Sequence, residues 1–154
     1  MVFGPQAIPA SGGAFSATLS AAATTGGTSS VTVNATGRDD LAVTSIGGAG
    51  VTDPSTAVVA FGSVTSGSVS SPDTGIDVQI TNAGPSASGL LNTVVTGEFF
   101  VAQDTCNGTS VAAAGHCDVF LQFAPSTAAA KTGTLTVSGT PGGTASIKLS
   151  GTGI

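Results

Sequence analysis

An all-β chain, a two-sheet sandwich preceded by a β-hairpin left over from a second repeat, is the fold predicted by three features of this sequence. The straight-chain helix formers Glu, Lys, Arg, Gln and Met total only nine of 154 residues, while Val, Thr, Ser, Gly and Ala dominate. Apolar residues recur with a period of two in several short segments separated by turn residues. The end of the chain also repeats its beginning, so one strand pair occurs twice.

Composition frames these features. The chain is 40% hydrophobic and only 7% charged, against roughly 25% charged in an ordinary soluble domain. Leu, Ile, Val and Phe number 36, enough for a core, and the high charge that keeps a chain disordered is missing. Gly and Pro together number 30 without a collagen period, so a triple helix is excluded.

The clearest strands are Ile76, Val78 and Ile80 alternating with Asp77, Gln79 and Thr81, and Cys117, Val119, Leu121 and Phe123 alternating with Asp118, Phe120 and Gln122. Phe120 stands on the polar side of its strand, where a loop over it or an exposed contact patch would account for it. Val58 to Val64, Leu90 to Val95, Phe99 to Ala102, Thr134 to Val137 and Ser146 to Leu149 complete the set. Asn82-Ala83-Gly84-Pro85 and Pro141-Gly142-Gly143 supply turns between them. Seven short strands at this spacing predict a two-sheet sandwich.

The repeat is read from a shift of 116 positions. It carries Thr18-Leu19 onto Thr134-Leu135, Gly26-Gly27-Thr28 onto Gly142-Gly143-Thr144, Val31 and Val33 onto Ile147 and Leu149, and Thr36-Gly37 onto Thr152-Gly153. With a four-residue insertion Phe3-Gly4-Pro5 also meets Phe123-Ala124-Pro125. A rival register, Val31 to Ala35 on Val78 to Asn82, recovers no match upstream. Residues 1–37 therefore read as the closing strands of an incomplete repeat, 38–56 as a linker and 57–154 as a complete sandwich. A two-strand remnant leaves one apolar face and two edges to be covered. Its apolar positions Phe3, Phe15, Leu19, Val31 and Val33 are the candidate assembly surface, for strands of this chain, of a longer parent or of a neighbouring chain.

Cys106 and Cys117 are the only cysteines and flank a polar turn, placed to pair across a hairpin. A disulfide there implies an oxidising compartment; two buried thiols, or a metal site using nearby His116, are the rival readings. Met1 to Pro9 has neither the basic nor the apolar region of a signal peptide. The chain thus reads as cytosolic, or as a mature segment whose signal lay upstream. No apolar run approaches the roughly 18 residues of a membrane helix.

Residues 57–154 resemble bacterial members of the ASH (abnormal spindle and Hydin) domain family, related to the major sperm protein fold. The resemblance rests on Phe61-Gly62-Ser63-Val64-Thr65-Ser66-Gly67, Asn82-Ala83-Gly84, Phe99 or Phe100, and Asp104-Thr105-Cys106-Asn107-Gly108. It continues through Gly115-His116-Cys117-Asp118-Val119, Phe123-Ala124-Pro125 and Leu149-Ser150-Gly151-Thr152-Gly153. It implies an immunoglobulin-like seven-stranded sandwich with paired cysteines, found as tandem or accessory modules of secreted bacterial proteins and carrying no catalytic residues. The segment Ser70 to Gly75 is long for the family's first hairpin.

Function classes follow by elimination. Arg38, Lys131 and Lys148 are the only cations and the net charge is -5, too little positive charge to hold a nucleic acid backbone. With no Trp or Tyr, the usual stacking surfaces for sugars and single strands are missing. His116 and Asp118 do not assemble a Ser-His-Asp triad, and the carboxylates, including Asp39, Asp40 and Asp53 of the expected linker, have no calcium-loop spacing. Lys148 is expected to face solvent and Lys131 to lie in the connection before the Thr134 strand, neither set for a lysine crosslink. Asn34-Ala35-Thr36 and Asn107-Gly108-Thr109 fit the glycosylation sequon and read as turn residues. The expectation is a non-enzymatic, cofactor-free building block of a secreted bacterial surface assembly or fibre. It would associate with itself or with neighbouring repeats, and would neither insert in membranes nor bind nucleic acid. An adhesin or carbohydrate-binding module acting through end loops on a glycan is the alternative.

Overall fold

The computed structural model describes residues 14–23, 27–36, 40–72 and 75–154. Eleven strands run through them: β1 Ala14–Ala23, β2 Gly27–Thr36, β3 Leu41–Ile46, β4 Ala49–Gly50, β5 Val58–Val64 and β6 Ile76–Asn82. Then come β7 Asn92–Val95, β8 Phe99–Asp104, β9 His116–Phe123, β10 Ala130–Gly139 and β11 Gly143–Gly153. Residues 57–154 thus supply seven strands, β5 to β11, at the expected places.

Two sheets make an immunoglobulin-like sandwich. One has the order β4-β3-β6-β9-β8 and the other β5-β11-β10-β7. Among the described strands all pairings are antiparallel except that of β5 with β11, where Val58 lies beside Lys148 and Val59 beside Leu149. Period-two alternation sends Val78, Ile80, Val119 and Leu121 inward from the first sheet, against Leu135, Val137, Ile147 and Leu149 from the second, all buried. Phe61, Phe99 and Phe123 close one end of this core with ring centroids 4.8 to 6.0 Å apart. Gly133 and Gly151 make room for them. A Cβ on Gly151 would stand 2.5 Å from Phe123 Cε1, and one on Gly133 would meet Thr96 O and the Phe99 ring.

One expectation is corrected. Residues 38–56 are not a linker, because they contain β3 and β4, and β3 pairs with β6 from Leu41 opposite Asn82 to Ile46 opposite Val78. Leu41 and Val43 are buried in the common core. Asp40 N and Leu41 N both donate to Gly142 O, tying the start of β3 to the β10–β11 turn.

The long segment before β6 also has a place. Ser70 N donates to Phe123 O at 2.8 Å and Phe123 N donates to Ser70 Oγ at 2.9 Å, so this stretch lies bonded beside the last residue of β9. Gln122 is buried beneath it, with Nε2 3.4 Å from Pro72 O. Gly75 sits at φ +87°, where a Cβ would strike the Leu121 backbone, so only glycine turns the chain here. Phe120 is half-buried, paired with Asp77 and Gln103 in register. The Asn82 side chain donates to Ser86 O and Val111 O and accepts from Gly84 N, which fixes the predicted turn after β6.

Candidate assembly interface

β1 and β2 form a sheet of their own. All ten residues of each strand pair, from Ala14 opposite Thr36 to Ala23 opposite Gly27. The shift of 116 turns Ala14↔Thr36 into Ala130↔Thr152 and Ala23↔Gly27 into Gly139↔Gly143, and both are observed pairs of β10 with β11. The first hairpin therefore has the ten-pair length, connection length and register of the sandwich's last one.

Directly opposed residues of an antiparallel pair share a face. By this register Phe15, Ala17, Leu19 and Ala21 on β1 fall on one face with Ala35, Val33, Val31 and Ser29 on β2. Ser16, Thr18 and Ser20 fall on the other with Asn34, Thr32 and Ser30. Four of the five expected assembly residues, Phe15, Leu19, Val31 and Val33, thus sit on a single face; Phe3 lies outside the described residues. Val31 is 59% exposed, whereas its counterpart Ile147 is 2% exposed in the core. Further exposed apolar side chains mark the sandwich's edge strands: Val58 on β5, Val94 on β7 and Phe100 on β8.

The cysteines form a disulfide. Cys106, just past β8, and Cys117 on β9 are joined with Cα atoms 5.1 Å apart, and both are buried. Asp104 shapes the approach, its Oδ1 accepting from Cys106 N and Asn107 N, while Thr105 and Asp118 bond reciprocally across the strands. His116 is exposed and stands opposite Thr81. Among the described residues no group of three or more His, Cys, Asp or Glu is placed to hold a metal ion. Asp53 instead closes a turn by accepting from Ser55 N and Oγ.

Lys131 corrects a second expectation. It lies within β10, and its Nζ is 2.6 Å from Glu98 Oε1 and 2.9 Å from Thr127 Oγ1. Glu98 also accepts from Ser126 N and Oγ, and the Lys131 hydrogen bond holds its carboxyl below the usual glutamate range. This pair is not visible in the sequence, because Glu98 is 33 residues away and meets Lys131 only through the pairing of β7 with β10. Lys148 is exposed, as expected.

The outer face of the five-stranded sheet carries half-buried polar side chains. Thr44 Oγ1 is 2.8 Å from Thr81 Oγ1, and Gln79 Nε2 donates to Asp118 Oδ1 at 3.3 Å. Burial, and then the Asp118 charge, push the Asp77 carboxyl up. On the other sheet an open groove of about 270 Å³ is lined by Pro54, Ser55, Thr134, Ser146, Ile147 and Lys148.

No protein-family model matches the chain, and no curated protein does. Solved structures do match. The secreted serine protease VesC from Vibrio cholerae aligns over 61% of this chain with 21% identity and a TM-score of 0.44, and the chain spans 21% of the protease's length. The ASH/PapD-like domain 7 of human CEP192 aligns over 100% of this chain and 94% of its own, with 11% identity and a TM-score of 0.44.

Proposed function

We propose that this protein is a non-enzymatic structural building block of a secreted bacterial surface assembly or fibre. It is joined to neighbouring units by β-strand complementation at the β1–β2 hairpin or by end-to-end packing of repeats. The observation that carries this reading is the contrast between Val31, 59% exposed, and its counterpart Ile147, 2% exposed, on hairpins of one register. A two-stranded ribbon with an apolar face is marginal in water until something covers it. Supporting it are the low charge, which minimises repulsion between packed units, the Cys106–Cys117 disulfide, which suits an oxidising compartment, and the resemblance of residues 57–154 to bacterial ASH modules.

The test is a photoreactive side chain at Val31 in the protein made by its own cells, followed by sequencing of the linked peptides. Links from outside the cell to strands of another sandwich unit are expected. Links confined to the chain's own sandwich, or a protein confined to the cytosol, would overturn the reading. The groove over Thr134, Ser146 and Lys148 offers hydroxyls to the carbohydrate-binding alternative, but no Trp or Tyr is present to stack on a sugar. Selective, saturable binding on a glycan array would promote that alternative.

A further inference from the structure

The assembly reading leaves open which unit completes the hairpin, and the register answers part of this. If β1–β2 took the place of β10–β11 in its own sandwich, Thr36 would stand where Thr152 stands. That position lies nine strand residues, about 30 Å, from Gly143. Yet Asp40 is bonded to Gly142 O, and the four steps from Thr36 to Asp40 span at most about 14 Å. The chain cannot complete its own hairpin in this way.

A second identical copy does not fit either. At the positions of Gly133 and Gly151 the hairpin carries Ala17 and Ala35. A Cβ at the first would collide with Thr96 O and lie 2.7 Å from Phe99 Cδ2, and a Cβ at the second would lie 2.5 Å from Phe123 Cε1. Thr96 O is backbone and Phe123 is fully buried, so neither yields cheaply. At the position of Lys131 the hairpin carries Phe15, which would place a phenyl ring where the Glu98 carboxylate now receives an ammonium. Towards the turn the mismatch reverses, with Ala21 in place of Val137.

Resting on the assembly reading, we infer that the hairpin's partner is a non-identical repeat unit of the same sandwich architecture. That unit carries smaller side chains where this one has Phe99 and Phe123, an uncharged residue where it has Glu98, and more bulk near the turn. Ala17 and Ala35 keep the hairpin out of sandwiches like its own.

The test traps exchange between full-length chains refolded together from denaturant at high concentration with the Cys106–Cys117 bond intact. The Lys148↔Val58 pair transposes to Thr32 beside Val58 of the partner chain, so Thr32→Cys in one chain and Val58→Cys in the other report exchange. An Ala60→Cys partner stands two residues out of register, about 8 Å away, beyond disulfide reach. In the otherwise native sequence, covalent heterodimer should not exceed that control. With Ala17→Gly and Ala35→Gly in the donor, or Ala17→Gly in the donor and Phe123→Ala in the acceptor, it should rise on the order of tenfold, one factor of ten for each 1.4 kcal/mol of relieved clash. Equal trapping with and without these changes would overturn the inference, as would no rise in either changed background. Neither result bears on whether Val31 meets another unit at the cell surface, so the two proposals fail separately.

Discussion

The β1–β2 and β10–β11 hairpins share ten-residue pairing and one register, yet Ile147 is buried and its counterpart Val31 lies open. The comparison separates two causes. Alternating sequence and a glycine turn fix how two strands pair; the neighbours β5, β7 and the facing sheet fix whether their apolar face is buried. Only the second hairpin has those neighbours among the described residues.

The sharpest way to break the comparison is to truncate both counterparts. Ile147→Ala should cost roughly 2–5 kcal/mol, because it empties core volume between two sheets. Val31→Ala should cost under about 0.5 kcal/mol, as an exposed substitution does. Denaturant midpoints of the two variants measure the difference. A cost above about 1.5 kcal/mol for Val31→Ala would mean that the first hairpin's face is covered within the single chain.

Reducing the disulfide comes next. It closes a loop with a sequence separation of 11 on the sheet facing β10–β11, and its loss should cost on the order of 2–3 kcal/mol. Hydrogen exchange should then quicken in β9, β10 and β11, while β1 and β2 keep their native protection. Equal loosening of both hairpins would show that they share one cooperative unit. The glycines give a finer contrast. Gly151→Ala drives a Cβ into the buried Phe123 ring and should cost about 1–3 kcal/mol. Ala35→Gly, at the equivalent place, should lose about 0.5–1 kcal/mol from backbone entropy alone, and only from the first hairpin.

Much of this was legible in the sequence. The seven strands of 57–154, the cysteine pair and the register of the first hairpin all follow from period-two patterns, turn residues and the similarity of the chain's two ends. The strands missed were β3 and its two-residue partner β4. Leu41 and Val43 alternate over only three residues before the glycines at 47 and 48, and the partner strand β6 lies some 35 positions on. The Lys131–Glu98 pair was missed for the same reason as β3, since only tertiary pairing brings the two together. The roles of Gly133 and Gly151 show only in the packing, where the rings of Phe99 and Phe123 stand over them.

The smallest expected effect separates the hairpins by pH. Lys131 belongs to β10, and its counterpart on β1 is Phe15, so the ion pair with Glu98 has no equivalent in the first hairpin. A glutamate held below its usual range stabilises the fold above its unfolded-state pKa, and this contribution is lost as pH falls through the folded value. Asp77 runs the other way: its carboxyl is raised by burial and by Asp118, so its charged form weakens the fold as pH rises from the ordinary aspartate range through the folded value. Asp77→Asn should therefore stabilise the sandwich slightly at neutral pH and lose that advantage in acid. Glu98→Gln should destabilise slightly at neutral pH and converge on the native protein in acid. Both groups stand on the sandwich, so exchange in β1 and β2 should follow neither change. An acid transition in the first hairpin matching that of Glu98 would mean that its pairing depends on the sandwich after all.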